Sequence, residues 1–142
     1  MEVSSTFADP GEVMALLRAS TVFRDVPEED LAALAAGFVA REFPAGEVAV
    51  REGERGHEIF LITAGSFDVF ASEASGRHRL DTLGAGAIFG EIAALTGGRR
   101  YATVQAAVDS IALVNEEKNF HEVLRASRTL SEAILRSLDR YA

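Results

Sequence analysis

The sequence predicts an α+β domain, mainly β, with helices at both ends of a strand-rich middle. Three observations lead there. Apolar residues recur at helical spacing before about position 38 and again after about position 115. Between 39 and 115, short runs of β-branched and aromatic residues alternate with turn residues. Most of the 12 glycines fall between 37 and 98, inside that stretch. Many short strands at this spacing close into a barrel, a roll or a sandwich.

The first helix opens at Asp9-Pro10-Gly11-Glu12, with Asp as N-cap, Pro at the first helical position and Glu at the third. Val13, Leu16 and Leu17 form its apolar stripe, which fades near Ser20-Thr21. A second helix opens at Pro27-Glu28-Glu29-Asp30, where three acids complement the positive end of the helix dipole. Its apolar face reads Leu31, Leu34, Ala35 and Phe38. Phe43-Pro44-Ala45-Gly46 is a turn. Strands are expected over 48–50, 58–63 and 66–71, then a hairpin loop over 72–76 and a half-buried strand over 78–83. Two further runs, 102–108 and 111–114, flank Asp109-Ser110. Asn119-Phe120-His121-Glu122 reads as a capping box opening a short helix through Val123 and Leu124. Thr129-Leu130-Ser131-Glu132 is a second box, and the helix after it presents Ile134, Leu135, Leu138 and Tyr141. A bend is expected at Ala126-Ser127-Arg128.

At 142 residues the chain is sized for one compact domain with its own core. The absence of cysteine excludes disulfides, zinc ribbons and thiol nucleophiles. A formal charge of -8, from 14 basic and 22 acidic residues, has the wrong sign for wrapping nucleic acid or lying on an anionic membrane. His57, His78 and His121 have no paired spacing, so neither a metal nor a metal-dependent enzyme is expected. The start of the chain is acidic where a signal peptide is basic, and no run approaches the roughly 18 apolar residues of a spanning helix. The expected location is the cytoplasm.

Residues 88–104 break the strand pattern: Ile88-Phe89-Gly90-Glu91-Ile92-Ala93-Ala94-Leu95-Thr96-Gly97-Gly98-Arg99-Arg100-Tyr101-Ala102-Thr103-Val104. Helix formers here sit between glycines that leave room for barely one turn. The first turn of a helix has N–H groups without intrahelical partners, and Gly90 lets a ligand approach the backbone. Arg100 adds a guanidinium fork suited to phosphate oxygens. Glu91 would repel a plain polyanion but can accept a hydrogen bond from a hydroxyl. Amides, one arginine and one carboxylate together describe a sugar phosphate of low charge. A structural ion pair between Glu91 and Arg100 is the competing reading of the same two residues.

Phe-Gly-Glu-Ile-Ala at 89–93, then Arg-x-Ala-Thr-Val at 100–104, resembles the phosphate-binding cassette of cyclic-nucleotide-binding domains. Such domains occur in cAMP receptors, kinase regulatory subunits and cyclic-nucleotide-gated channels. Pro44-Ala45-Gly46-Glu47, Arg51-Glu52-Gly53-Glu54 and Ala64-Gly65-Ser66 resemble the family's glycine-marked turns, so the likeness covers nearly the whole chain. It implies an eight-stranded, jelly-roll-like β-roll with N-terminal helices and a C-terminal pair of hinge and lid helices. Within one domain over 1–142, it puts the N-terminal helices at 9–38, the roll at 39–115 with its cassette at 88–104, and hinge and lid at 116–142.

Carried over residue by residue, the resemblance implies that Glu91 accepts from the ribose 2′-hydroxyl and that Arg100 pairs with the cyclic phosphate. The N–H groups of Ile92, Ala93 and Ala102 would complete the phosphate cradle beside Gly90. Val69 and Leu80 would flank base and ribose, Phe89 would pack against the hinge helix, and Arg140 and Tyr141 would serve as the lid. Arg99 stands where many members have Pro, and is read as solvated. Tyr101 stands where a small or hydroxylated residue is usual; a Thr there helps select cGMP, so its absence leans the expectation to cAMP. The implied function is a non-catalytic sensor with no cofactor beyond its cyclic nucleotide, coupling binding to movement of its C-terminal helices. Its partners would be a second copy or an effector outside these residues. The alternative is a non-binding module of the same fold, kept for dimerisation or docking.

Overall fold

A computed structural model describes residues 8–56, 58–96, 98–115 and 117–137. The elements run α1 (Pro10–Ala19), α2 (Glu28–Ala35), β1 (Phe38–Phe43), β2 (Val48–Val50), β3 (Ile59–Ala64), β4 (Ser66–Glu73), β5 (Gly76–Gly84) and β6 (Ile88–Phe89). After them come α3 (Glu91–Thr96), β7 (Thr103–Ala106), β8 (Ser110–Asn115), α4 (Glu117–Ala126) and α5 (Arg128–Ser137). The strands form two four-stranded sheets, ordered β1-β8-β3-β6 and β2-β7-β4-β5, with antiparallel pairing throughout. This is the eight-stranded, mainly β architecture flanked by helices.

Side-chain alternation along β3 organises two cores. Phe60 and Ile62 point into the roll with Phe43, Phe67, Val69, Phe89, Val104 and Val114. Ile59 and Leu61 point the other way, onto Leu17, Phe23, Leu31 and Leu34 of the N-terminal region and Val123, Leu130 and Ile134 of α4 and α5. Four consecutive buried residues in a strand therefore mean that both faces are covered. Inside the roll, Phe60 and Phe89 stack with centroids 4.5 Å apart, and Phe43 meets Phe67 edge-on at 5.4 Å. Such pairs contribute about 0.5–1.5 kcal/mol each beyond the area they bury.

Of the four helix starts read from sequence, those of α1 and α2 fall where expected and those of α4 and α5 do not. At α1, the Asp9 carboxylate accepts from the Glu12 N–H at 3.2 Å, as the motif predicts. Asn119 lies inside α4 instead of heading it. At α5 the cap is Ser127, whose Oγ accepts from the Leu130 N–H at 3.1 Å. Thr129 is taken elsewhere: its hydroxyl donates to Asp30 Oδ2 at 2.6 Å, and the Ser127 hydroxyl donates to the same oxygen at 2.8 Å. One carboxylate on α2 thus ties down the joint between α4 and α5.

Other departures have similar causes. Phe38 opens β1 instead of closing α2, because its N-terminal neighbours turn and its strand pairs with β8 in register Phe38↔Asn115. The hairpin loop over 72–76 is shorter than expected, since β4 and β5 zip as far as Glu73↔Gly76. The 78–83 run is not half-buried. β5 is an edge strand, and Leu83 is its one buried residue. On α5, Leu130, Ala133 and Ile134 face the core while Leu135 is 51% exposed. Leu138 and Tyr141 lie outside the described residues.

The two hydroxyl bonds hold the Asp30 carboxyl below its usual 3.8. A depressed native value means that this contribution is complete above the unfolded value and lost as pH falls through the native one. Asp30→Ala is therefore expected to lower the melting temperature at pH 7. The gap from the wild type should close as pH drops below about 4; melting curves across pH 3–7 check it, and a constant gap would contradict the hinge tie.

Candidate functional site

The segment 88–104 is positioned from both ends. On entry, β6 pairs with β3 through Leu61↔Ile88 and Phe60↔Phe89. On exit, β7 is held between β2 and β4, with Val104 opposite both Val50 and Val69. Between them the chain turns at Gly90, makes the short helix α3, and returns along the β2–β3 connection. There Arg55 and Arg99 form an isolated antiparallel bridge. The Arg100 N–H donates to the Glu54 carbonyl at 2.8 Å, and the Arg100 carbonyl accepts from the Gly53 N–H at 2.8 Å. Arg99, read from sequence as solvated, is exposed but donates through Nη1 to the Gly53 carbonyl at 2.8 Å.

Arg100 is 5% exposed and Glu91 1% exposed. The guanidinium is held by backbone: Nη1 donates to the Gly90 carbonyl and Nη2 to the Glu58 carbonyl, each at 3.1 Å. Burial pushes the Arg100 pKa down, while the charges of Glu58 and Glu91 push it back up. The Glu58 side chain itself turns outward to Arg41, at 3.2 Å. A cation is thus kept in a buried place by carbonyl dipoles and two nearby carboxylates.

Beside this arginine is a shallow hollow open to solvent, lined by Val50, Val69, Phe89, Gly90, Ala93, Arg100, Tyr101, Ala102 and Val104. Its lining is the mixture usual in ligand sites, apolar walls with few polar groups. Predicted residues Val69, Phe89, Gly90, Ala93, Arg100, Tyr101 and Ala102 come together here. Glu91 is buried at the start of α3 and close enough to act on Arg100 electrostatically; Ile92 is half-buried next to it. Tyr101 remains 43% exposed at the rim.

Some expectations do not hold. Phe89 packs into the roll, stacked on Phe60 and 5.3 Å from Phe67; Ile88 is the residue on the helical side, sharing a core with Val123 and Leu124. Strand alternation sends adjacent residues to opposite faces, and β6 puts Phe89 inward. Leu80 is 53% exposed and outside the lining. It is the extra residue of a β-bulge, since Val69 pairs with Asp81 and Phe70 with Arg79. Arg140 and Tyr141 lie outside the described residues. Sequence reading missed Val50, Val104 and the Glu58 carbonyl. The two valines were legible as inward positions of short strands; the carbonyl has no side-chain signal.

Among the described residues, no group of three or more His, Cys, Asp or Glu could hold a metal ion, and no helix is long and apolar enough to cross a membrane.

Gly90 has φ +87, and a Cβ there would lie 2.7 Å from the Glu58 carbonyl oxygen and 2.9 Å from Arg100 Nη1. Gly90→Ala is expected to destabilise the fold by about 1–3 kcal/mol from backbone strain alone, with the clash added. Denaturant titration measures it, and an unchanged midpoint would show that the turn relaxes freely.

The model of the family described as Cyclic nucleotide-binding domain matches residues 40–127. The chain is 32% identical over 130 residues to a cGMP-dependent protein kinase of Toxoplasma gondii, covering 89% of this chain and 13% of the kinase. It is 29% identical over 104 residues to the cyclic AMP receptor protein of Thermus thermophilus, covering 71% of this chain and 48% of the receptor. Among solved structures, the regulatory domain of Toxoplasma gondii PKA with cAMP superposes at TM-score 0.81 and 19% identity, over 93% of this chain and 50% of that one. The chain thus spans less than half the length of these two curated relatives. A buried arginine and glutamate on one glycine-hinged turn, in a two-sheet roll whose residues 40–127 match the family model, mean that this chain belongs to the cyclic nucleotide-binding domain family.

Proposed function

We propose that this chain is a non-catalytic sensor domain that binds a cyclic nucleotide, cAMP in preference to cGMP, in the hollow beside Arg100. The observation that carries the reading is a buried guanidinium at the wall of an apolar hollow. Its terminal nitrogens each donate one hydrogen bond to a carbonyl, and each carries a second N–H. Those N–H groups suit the exocyclic oxygens of a cyclic phosphate, with the amides of Ile92, Ala93 and Ala102 completing the contact. Glu91 takes the ribose 2′-hydroxyl, and Val69 with its apolar neighbours walls the sugar and base.

The two curated relatives differ in the nucleotide that their names give, cGMP for one and cyclic AMP for the other. The preference for cAMP therefore rests on Tyr101, which replaces the threonine associated with cGMP. Coupling to the C-terminal helices is supported by packing: α3, which begins with Glu91, contacts both α4 and α5. A ligand that draws on Glu91 and Arg100 shifts the balance only by binding two arrangements of those helices unequally. The output is an effector outside these residues or a second copy of the chain, in the cytoplasm. The domain is the whole of 1–142.

A second reading, a module of the same fold that binds no nucleotide, is favoured by one feature. Arg100 already has two carbonyl acceptors, so the fold does not need a ligand to hold its charge. Calorimetric titration with cAMP and cGMP separates the two readings. Saturable binding is expected, tighter for cAMP, and Arg100→Ala should weaken it by about 1.5–3 kcal/mol, roughly 10- to 150-fold. Tyr101→Thr should raise cGMP affinity relative to cAMP. Heat from neither nucleotide, at concentrations up to the millimolar range, would favour the non-binding module.

A further inference from the structure

We infer that Gly56 is a positioning residue for the site: the space left by its missing side chain is where the Arg100 guanidinium lies, and that seat sets the arginine's aim. The inference rests on the proposed role of Arg100 as the phosphate ligand. The glycines of the roll differ in what a side chain would cost at each. Gly46, Gly53, Gly76 and Gly86 have positive φ, and a Cβ on any of them would meet nothing within 4 Å. They are glycines for torsional reasons. Gly56 is the opposite case. Its φ lies outside the positive region, yet a Cβ there would lie 2.5 Å from Arg100 Nε, 2.6 Å from Nη2 and 2.8 Å from Cζ.

The consequence follows from which atoms are met. The far end of an arginine side chain yields more easily than backbone, so alanine at 56 moves the guanidinium and not the β2–β3 loop. The same guanidinium also fills space left by Gly90, where a Cβ would lie 2.9 Å from Nη1. Displacement therefore breaks the bonds to the Glu58 and Gly90 carbonyls and swings the fork out of line. Gly56 touches no ligand in this account; it acts through Arg100.

The test uses the full chain with Gly56→Ala, Arg100→Ala, the double variant, and Gly46→Ala as a torsional control. Gly56→Ala is expected to lower the melting temperature by no more than Arg100→Ala does, to weaken cAMP binding about tenfold or more, and to add nothing in the Arg100→Ala background. Gly46→Ala is expected to lower the melting temperature and leave affinity unchanged. In ¹⁵N-labelled protein without ligand, the Arg100 Nε–Hε resonance, assigned by its loss in Arg100→Ala, is expected to shift in Gly56→Ala and stay put in Gly46→Ala. Wild-type affinity in Gly56→Ala, or an equal further loss in the double variant, overturns the inference. If the wild type binds neither cAMP nor cGMP, the proposed function falls and the seat is judged by the resonance alone: a shift supports it, and an unmoved signal overturns it.

Discussion

Strand β3 sends Ile59 and Leu61 to the helices and Phe60 and Ile62 into the roll, and its neighbours are arranged around that double burial. A strand covered on both faces needs a layer on each side. The second sheet supplies one layer, and α1, α2, α4 and α5 supply the other. Because β6 is the last strand of its sheet and is paired with β3, the turn at Gly90 is referenced to a strand buried on both faces. Rigidity at the site begins with that pairing.

On this platform the fold stations a charge where water is scarce. Burying a guanidinium is unfavourable unless its N–H groups are met and its charge is opposed. The Gly90 and Glu58 carbonyls do the first, Glu58 and Glu91 the second. The backbone of Arg100 is clamped as well, by Gly53 and Glu54. Charge, dipoles and loop are thus in place together, so the proposed phosphate contact would need little reorganisation.

The helical layer is connected to the site by contact and to itself by one carboxylate. α3 lies against α4 and α5, while Asp30 on α2 gathers Ser127 and Thr129 at the joint between those two helices. Asn115, fully buried at the end of β8, donates to the Leu34 carbonyl near the end of α2 and so ties that helix to the first sheet. A rearrangement of the joint would have to carry α2 along or release these hydroxyls.

Local chemistry was enough for the Asp9 cap, the glycine turns and the order of helices and strands, because each depends on neighbours in sequence. The cassette residues were legible for the same reason, being continuous from Ile88 to Val104. What sequence reading misplaced depended on distant partners. Asp30 drew Thr129 away from a capping role 99 residues along the chain, and the bulge opposite Val69 left Leu80 out of the hollow. Pairing with β3 sent Phe89 inward, and the space beside Gly56 is filled by Arg100, 44 residues along the chain. Sequence by itself determined which residue types were available for the proposed phosphate and ribose contacts. Tertiary structure alone decided where the arginine points, because its seat is built from two glycines and two carbonyls contributed by separate segments.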